Sequence, residues 1–447
     1  MILTKQSLSR FDFTMLMITL VIGMGIFRTP ATVAAESPSP VVFFSVWIFG
    51  GIIAICGALT FAEIGSRYPV TGGFYKIFSY AYHPSIAFGI NCIILISDAT
   101  SVAGIAIIGA EYIAKVLIPN TKDTSTIQLA IAIASIIILY CINLAGLKTS
   151  AKTQNILTII KISFIVLLIS PLFFYTNSNN TLETANTISP TLKEYLKAFG
   201  LGLISVSFTY GGYQQSINFG AEVRNPSKNI PKSIITGLLI IIVLYLTINY
   251  AYYKVIGFNE LKTSSNIAAV MASHVFGNSA GNVLSILLFL GVLAYANAQL
   301  MVGPRIMEAM SQDGVLPKIF EKRTTKKNVL VASLSLFASL IILTIFWAKT
   351  FDEILSFSIF LDCFGMVLAA ATIFKFRKTT ANLNGSGIFK MKLFPLLPIV
   401  FMITYTFIAG VIFINKPYTG FLGITILAAF IGLYFIIQSV QKRDNKL

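Results

Sequence analysis

Apolar stretches long enough to cross a membrane follow one another along almost the entire chain of 447 residues. About 20 consecutive apolar residues span the hydrocarbon core as a helix, and backbone polar groups at that depth must be paired within the protein. The sequence therefore predicts an all-α polytopic membrane protein. We place its twelve transmembrane helices at residues 11–35, 41–65, 84–118, 126–144, 152–174, 195–221, 232–256, 277–310, 329–347, 353–375, 392–414 and 418–440.

The distribution of positive charge predicts how the chain lies in the membrane. A net charge of +16 would fit a nucleic-acid partner if the basic residues formed one patch. Instead, most of the 33 lysines and arginines fall in segments that share one side when the N-terminus is cytoplasmic, as the positive-inside rule requires. We therefore expect a cell (inner) membrane protein with both termini in the cytoplasm, and no nucleic-acid partner.

Motifs of metal and enzyme sites are missing from the sequence. Cys56, Cys92, Cys141 and Cys363 fall inside predicted spans, where cysteine is ordinarily a small apolar residue. Neither a metal-ligand spacing nor a phosphate loop nor a GxSxG elbow is present. We expect no metal, no cofactor and no enzymatic activity. A channel would need rings of polar or charged residues, whereas charges within the spans are few.

The first span contains residues that interrupt a helix. Gly23 and Gly25 lie near its middle, and each glycine weakens a helix by about 1 kcal/mol relative to alanine. Pro30 follows about one turn later and removes a backbone donor. An unwound segment at this depth must line a cavity enclosed by protein. Close packing of helices through glycine is the alternative interpretation.

The sixth span repeats this feature at Gly211 and Gly212, followed by a run of polar side chains. Paired interruptions at matching positions indicate a transporter site between inverted repeats. We expect one transporter domain over residues 1–447, with five-helix repeats at 11–174 and 195–375 and two additional helices at 392–440.

The two interruptions would expose backbone groups of opposite polarity. Three amides at a positive helix end would face a carboxylate: those of Met24, Gly25 and Ile26. Three freed carbonyls would accept hydrogen bonds from an ammonium group: those of Val21, Phe208 and Gly211. A zwitterion such as an amino acid satisfies both sets.

These motifs resemble the amino acid-polyamine-organocation (APC) superfamily, and within it the L-amino-acid transporter (LAT) family. The resemblance covers nearly the whole chain and rests on residues 23–30, 63–69, 72–75, 208–213, 222–231 and 313–317, with Asn297 and Arg305. It implies a LeuT-like 5+5 inverted-repeat fold with discontinuous helices 1 and 6, and alternating access to one central site. By resemblance, Phe208 is the gating aromatic that closes over substrate from outside.

Lys161 lies near the middle of the fifth span, where a charge is costly and normally faces the bundle interior. The resemblance implies that this lysine occupies the place where sodium-coupled relatives bind their cation. We therefore expect a sodium-independent exchanger or permease, most readily for neutral L-amino acids. A proton-coupled amino acid or polyamine carrier remains an alternative, as does an amino acid sensor without transport.

Arg28, Asp98 and Asp362 are further charged residues within the spans. We expect Arg28 to pair with Asp98 or Asp362 in a charge network, or else to read an anionic substrate side chain. The two aspartates are also candidates for a proton relay or for holding a cationic side chain. Asn297 lies in a polar patch that reaches either the substrate and Lys161 or a neighbouring helix.

The predicted loop after the third span bears on partners. In the resembling family, mammalian members join a glycoprotein through a cysteine in this loop. Residues 117–126 contain no cysteine here. We expect no disulfide-linked heavy subunit. The expected partners are a small-molecule amino acid substrate and the lipid bilayer.

Overall fold

The structure is a computed structural model built of α-helices and short 3-10 helices. It describes residues 9–23, 25–70, 72–118, 125–174, 191–218, 220, 223–264, 267–325, 327, 329–347, 351–383 and 387–444. The α-helices are α1 Arg10–Val21, α2 Gly25–Glu36, α3 Pro40–Arg67, α4 Gly73–Ala81, α5 Pro84–Leu117, α6 Ser125–Leu144, α7 Leu147–Ile169, α8 Leu192–Tyr210, α9 Pro226–Ile256, α10 Phe258–Thr263, α11 Ile267–Phe276, α12 Asn278–Gln312, α13 Val331–Trp347, α14 Phe351–Thr379, α15 Leu396–Asn415 and α16 Pro417–Asp444.

Ten segments of the described chain are long and apolar enough to cross a membrane, which makes this a multi-pass membrane protein. One of them, Phe13–Glu36, includes both α1 and α2. The two remaining predicted spans correspond to α13, an apolar helix of 17 residues, and to α8, whose first turns carry Lys193, Glu194 and Lys197. The count of twelve spans and the inverted repeat remain predictions.

Local sequence signals fix where several of these helices begin. Ser39 caps α3 by accepting a hydrogen bond from the backbone N–H of Val42 at 3.4 Å. Thr191 and Glu194 form a capping box at the start of α8, in which each side chain accepts from the other residue's backbone N–H. These caps satisfy amides that the first turn of a helix leaves unpaired.

Burial separates a central helix from peripheral ones. The apolar window of α5 is 83% buried, and this helix packs against α12, α13 and α14. The corresponding window of α16 is only 17% buried. Its large apolar side chains point outward, as expected of a surface solvated by lipid: Tyr418, Phe421, Ile424, Leu433, Phe435 and Ile436. The centre of the bundle therefore lies along α5.

Candidate functional site

The first predicted interruption is present in the structure. The helix α1 ends at Val21 and α2 begins at Gly25. Between them, the N–H of Gly23 donates to the Val21 carbonyl at 2.7 Å, which is too short a loop to continue an α-helix. Met24, predicted to supply an amide, lies outside the described residues. Pro30 lies within α2, beyond the break.

The second interruption follows α8 and touches the first. Gly211 is extended, and Gly212 has a φ of +111°, in the region that favours glycine. A Cβ atom added to Gly212 would lie 2.3 Å from the carbonyl oxygen of Leu20. The 3-10 helix Tyr213–Asn218 then carries the chain away. The two breaks therefore meet backbone against backbone.

A second close contact holds α2 against α8. A Cβ atom added to Gly25 would lie 2.7 Å from Oγ1 of Thr209 and 3.1 Å from its Cα. The absence of a side chain at Gly25 lets the first turn of α2 approach α8 closely. Because that turn has unpaired amides at the positive end of a helix, this position suits an anionic group.

A cavity lies where the two breaks meet. Its walls come from the α1–α2 break, the break after α8, and the helices α5, α12, α14 and α15. Four of the predicted binding residues line it: Val21, Gly25, Phe208 and Gly211. Ile26 is fully buried and is not among the lining residues.

Two of the three predicted carbonyl acceptors already have donors. The Val21 oxygen accepts from the Gly23 N–H and from the Tyr245 hydroxyl, the latter at 3.2 Å. The Phe208 oxygen accepts from the Gly211 N–H at 3.3 Å. An ammonium group at Val21 would therefore compete with two existing hydrogen bonds.

Lys161 contacts the first break from outside the cavity. Its Nζ donates to the carbonyl oxygen of Ile22 at 2.5 Å, and the residue is 2% exposed. Ile22 immediately follows α1, so its carbonyl is one that the interruption frees from the helix. Lys161 thus joins α7 to the break and does not line the cavity.

Arg28 has a different partner from those predicted. Its Nη1 lies 3.6 Å from the carboxylate of Glu111, which also accepts from Lys115 at 2.9 Å. Glu111 is 13 residues beyond Asp98 on the same helix α5, about 20 Å along its axis. The predicted pairing of Arg28 with Asp98 or Asp362 is therefore wrong, because Arg28 lies at the level of Glu111.

The two aspartates instead face the cavity. Asp98 Oδ1 accepts from Gln215 Nε2 at 2.8 Å, and Asp362 Oδ1 accepts from the Ser97 hydroxyl at 2.7 Å. We call the side chains of Asp98, Gln215 and Asp362 the acidic wall. All three line the cavity, and no lysine, arginine or histidine of the described chain does.

Asn297 belongs to a different polar cluster. It is fully buried, and its Nδ2 donates to Gln154 Oε1 at 2.9 Å and to the Ser150 carbonyl at 3.2 Å. Its Oδ1 accepts from Asn143 Nδ2 at 2.9 Å. These contacts join α6, α7 and α12, so the helix-to-helix alternative describes Asn297. It does not line the cavity.

Several cavity residues were not predicted. Gln215 had a signal, since a polar run after Gly212 is unusual in an apolar span. Tyr295 and Tyr405 line the cavity, and Tyr245 bonds to the first break. These tyrosines carried no signal, because buried aromatic residues are common in any core.

Comparisons with known proteins match nearly the whole chain. A profile of the protein family described as amino acid permease matches residues 8–438. The serine/threonine exchanger SteT of Bacillus subtilis (strain 168) is 27% identical over 425 residues, covering 94% of this chain and 93% of the relative. The Asc-type amino acid transporter 1 of Mus musculus is 23% identical, with coverages of 97% and 81%. The cystine/glutamate transporter of Homo sapiens is 24% identical, with coverages of 99% and 87%.

Proposed function

Because the chain belongs to the amino acid permease family, we propose that it carries amino acids across the cell's inner membrane by alternating access, without sodium. The family and these relatives are transporters and not enzymes. One observation supports the proposal most: two interrupted helices meet at a single cavity. In transporters built of inverted repeats, substrate binds at such paired interruptions.

The cavity offers recognition of the groups that all amino acids share. The first turn of α2 presents amides at a positive helix end, which suits the substrate carboxylate. The carbonyls around Val21 and Gly211 suit the ammonium group, which would replace one of the donors now bound there. Phe208 lines the same cavity and is our proposed gating aromatic.

Lys161 supports independence from sodium. Its ammonium group occupies the Ile22 carbonyl, an oxygen that a hard cation would otherwise use as a ligand. A sodium ion beside this group would meet like charge in a buried site, where Coulomb repulsion is only weakly screened. We therefore assign Lys161 the structural place of a coupling cation.

Counterflow of labelled amino acids in proteoliposomes tests both parts of the proposal. We expect equal flux in sodium and in choline buffers. Lys161→Ala should insert and purify but lose most of its flux, because the carbonyl of the first break loses its donor. Lys318→Ala, which removes an exposed lysine outside the cavity, is the matched control. Sodium-dependent flux, or wild-type flux in Lys161→Ala, would contradict the sodium-independent assignment.

We also propose that the chain has twelve spans in a five-plus-five inverted repeat, and that it transports without a disulfide-linked subunit. The same proteoliposomes test the second part. All four cysteines lie within helices, in α3, α5, α6 and α14. The purified single chain should therefore support full counterflow, unchanged by reducing agent. Binding of amino acids without any counterflow would instead identify a sensor.

Proton coupling is a second candidate because Asp98 and Asp362, two carboxylates, face the cavity. A proton-coupled carrier would move protons together with its substrate, and a fluorescent pH indicator would report the resulting pH change.

The charge of the substrate's side chain is a separate question. Backbone recognition alone favours a neutral amino acid, whereas the charge of the acidic wall favours a cationic one.

A further inference from the structure

We propose that the acidic wall binds a positively charged side chain, so that the preferred substrate is a cationic amino acid. This inference rests on the proposed amino acid transport and names the substrate class of the same cavity. It replaces the neutral side chain that the sequence favoured.

Two acceptor atoms of the acidic wall have no donor. Asp98 Oδ2 and Gln215 Oε1 are buried and without a hydrogen-bond partner in the described structure. The residues are 5% and 8% exposed, respectively. A buried polar group left unpaired is costly, and such groups in a native protein call for an explanation. A donor-rich ligand in the cavity satisfies both atoms.

Charge points to the same ligand. The cavity lining contains two carboxylates and no basic side chain of the described residues. The basic groups nearest the first break are engaged elsewhere, Lys161 with Ile22 and Arg28 with Glu111. Buried charges are stable when paired with the opposite charge. An ammonium or guanidinium group brings three or five N–H donors as well as that charge.

The α2 part of the lining distinguishes an amino acid from a simple diamine. Gly25, at the positive end of α2, lines the same cavity as Asp98 and Asp362. A ligand with a carboxylate at one end and a cation at the other satisfies both the α2 amides and the acidic wall. A polyamine leaves the α2 amides without an anion, and an acidic side chain is repelled by the two carboxylates.

Substrates of similar shape and different charge test the proposal. Counterflow should be measured for arginine against citrulline and for lysine against norleucine. We expect the cationic member of each pair to have a KM lower by about tenfold or more, because the neutral member leaves the buried carboxylates without an opposite charge. Asp98→Asn should reduce that ratio toward unity. Glu260→Gln, which changes an exposed carboxylate outside the cavity, should leave it unchanged.

Each outcome decides the matter. Equal or better transport of citrulline and norleucine overturns the proposal, as does uptake of neutral amino acids together with protons. An unchanged ratio of the two KM values in Asp98→Asn also overturns it. If Asp98→Asn does not fold, the KM ratio of Asp362→Asn is measured instead and interpreted in the same way. If no amino acid of any charge moves, amino acid transport itself is refuted.

Discussion

Gly212 occupies a position that no other residue can take. Its φ of +111° costs an alanine about 1–2 kcal/mol or more, and a Cβ atom would lie 2.3 Å from the Leu20 oxygen. We expect Gly212→Ala to lower the melting temperature in detergent and to abolish counterflow, because the two breaks must separate to admit a methyl group. A fluorescence-detected thermal melt and the flux assay measure the two effects.

Gly410 provides the control for this substitution. It lies within α15, and a Cβ atom there would have no neighbour within 4 Å. Gly410→Ala should keep or slightly raise the melting temperature, since alanine favours a helix by about 1 kcal/mol over glycine. Equal melting temperatures for the two variants would show that the contact between the breaks carries no stability.

Asn297 gives a second prediction at the scale of one residue. Asn297→Ala removes the donor to Gln154 Oε1, and a buried acceptor left unpaired costs about 1–3 kcal/mol. Asn143 Nδ2 loses one hydrogen bond and keeps the one to the Leu139 carbonyl. We expect a lower melting temperature with an unchanged substrate KM, because Asn297 does not line the cavity. Thermal melts measure the melting temperature, and counterflow at several substrate concentrations measures the KM. A raised KM at an unchanged melting temperature would return Asn297 to the substrate site.

Individual residues show what a single sequence predicts and what it omits. Val21, Gly25, Phe208 and Gly211 line the cavity as expected, since glycine and proline act on the local backbone. Arg28 was given the wrong partner because hydropathy fixes the depth of a residue only roughly and not the rotation of its helix.

At the scale of helices, an ion triad around the buried Glu63 joins the C-terminal ends of α3 and α14. Glu63 is fully buried and accepts from Arg67 at 2.9 Å and from Arg377 at 2.6 and 2.8 Å. Its Oε2 also accepts the N–H of Met391 at 2.9 Å. One carboxylate thus holds two helices and the segment that precedes α15.

We expect Glu63→Gln to destabilise the protein strongly. Removing one member of a buried ion pair leaves an uncompensated charge and costs about 3–5 kcal/mol. The melting temperature should fall well below that of the wild type, with loss of the monodisperse peak in size-exclusion chromatography. Glu260→Gln breaks an exposed contact with His274 and should change stability by less than about 1 kcal/mol. Similar losses in the two variants would contradict the role of the triad.

Helices were predicted unevenly for a physical reason. The long apolar ones fall close to their expected positions, for example α5 at Pro84–Leu117 against residues 84–118. The short helices α4, α10 and α11 were not predicted. Each has ten residues or fewer, so none produces the extended apolar run by which spans were recognised.

The orientation of the whole molecule is testable with reporter fusions. The distribution of basic residues predicts a cytoplasmic loop after α12 and an outer loop after α9. Alkaline phosphatase fused after Gly257 should be active, whereas the same enzyme fused after Gly314 should be inactive and a fluorescent protein there should be bright. The reverse pattern would overturn the predicted orientation of both termini.

The architecture of the whole molecule was predicted mainly from the requirement that helices in lipid be long and apolar. Apolar length predicted a bundle of spans, and the exposed apolar side chains of α15 and α16 agree with it. The rotation of each helix about its own axis could not be predicted, because packing between spans depends on contacts that hydropathy does not encode. The sequence therefore named Asp98 and Asp362 as candidates for holding a cation, but only the structure places them with Gln215 at the cavity.

The contact between Gly212 and Leu20 has a consequence for how this protein can change. At Gly212 the two broken helices touch through main-chain atoms, whereas the chemistry of the cavity depends on side chains such as Asp98 and Gln215. The residues that form the contact between the broken helices are therefore different from the residues of the acidic wall. A designer can exchange the acidic residues for other types and retune what is carried while the joint between the helices stays intact.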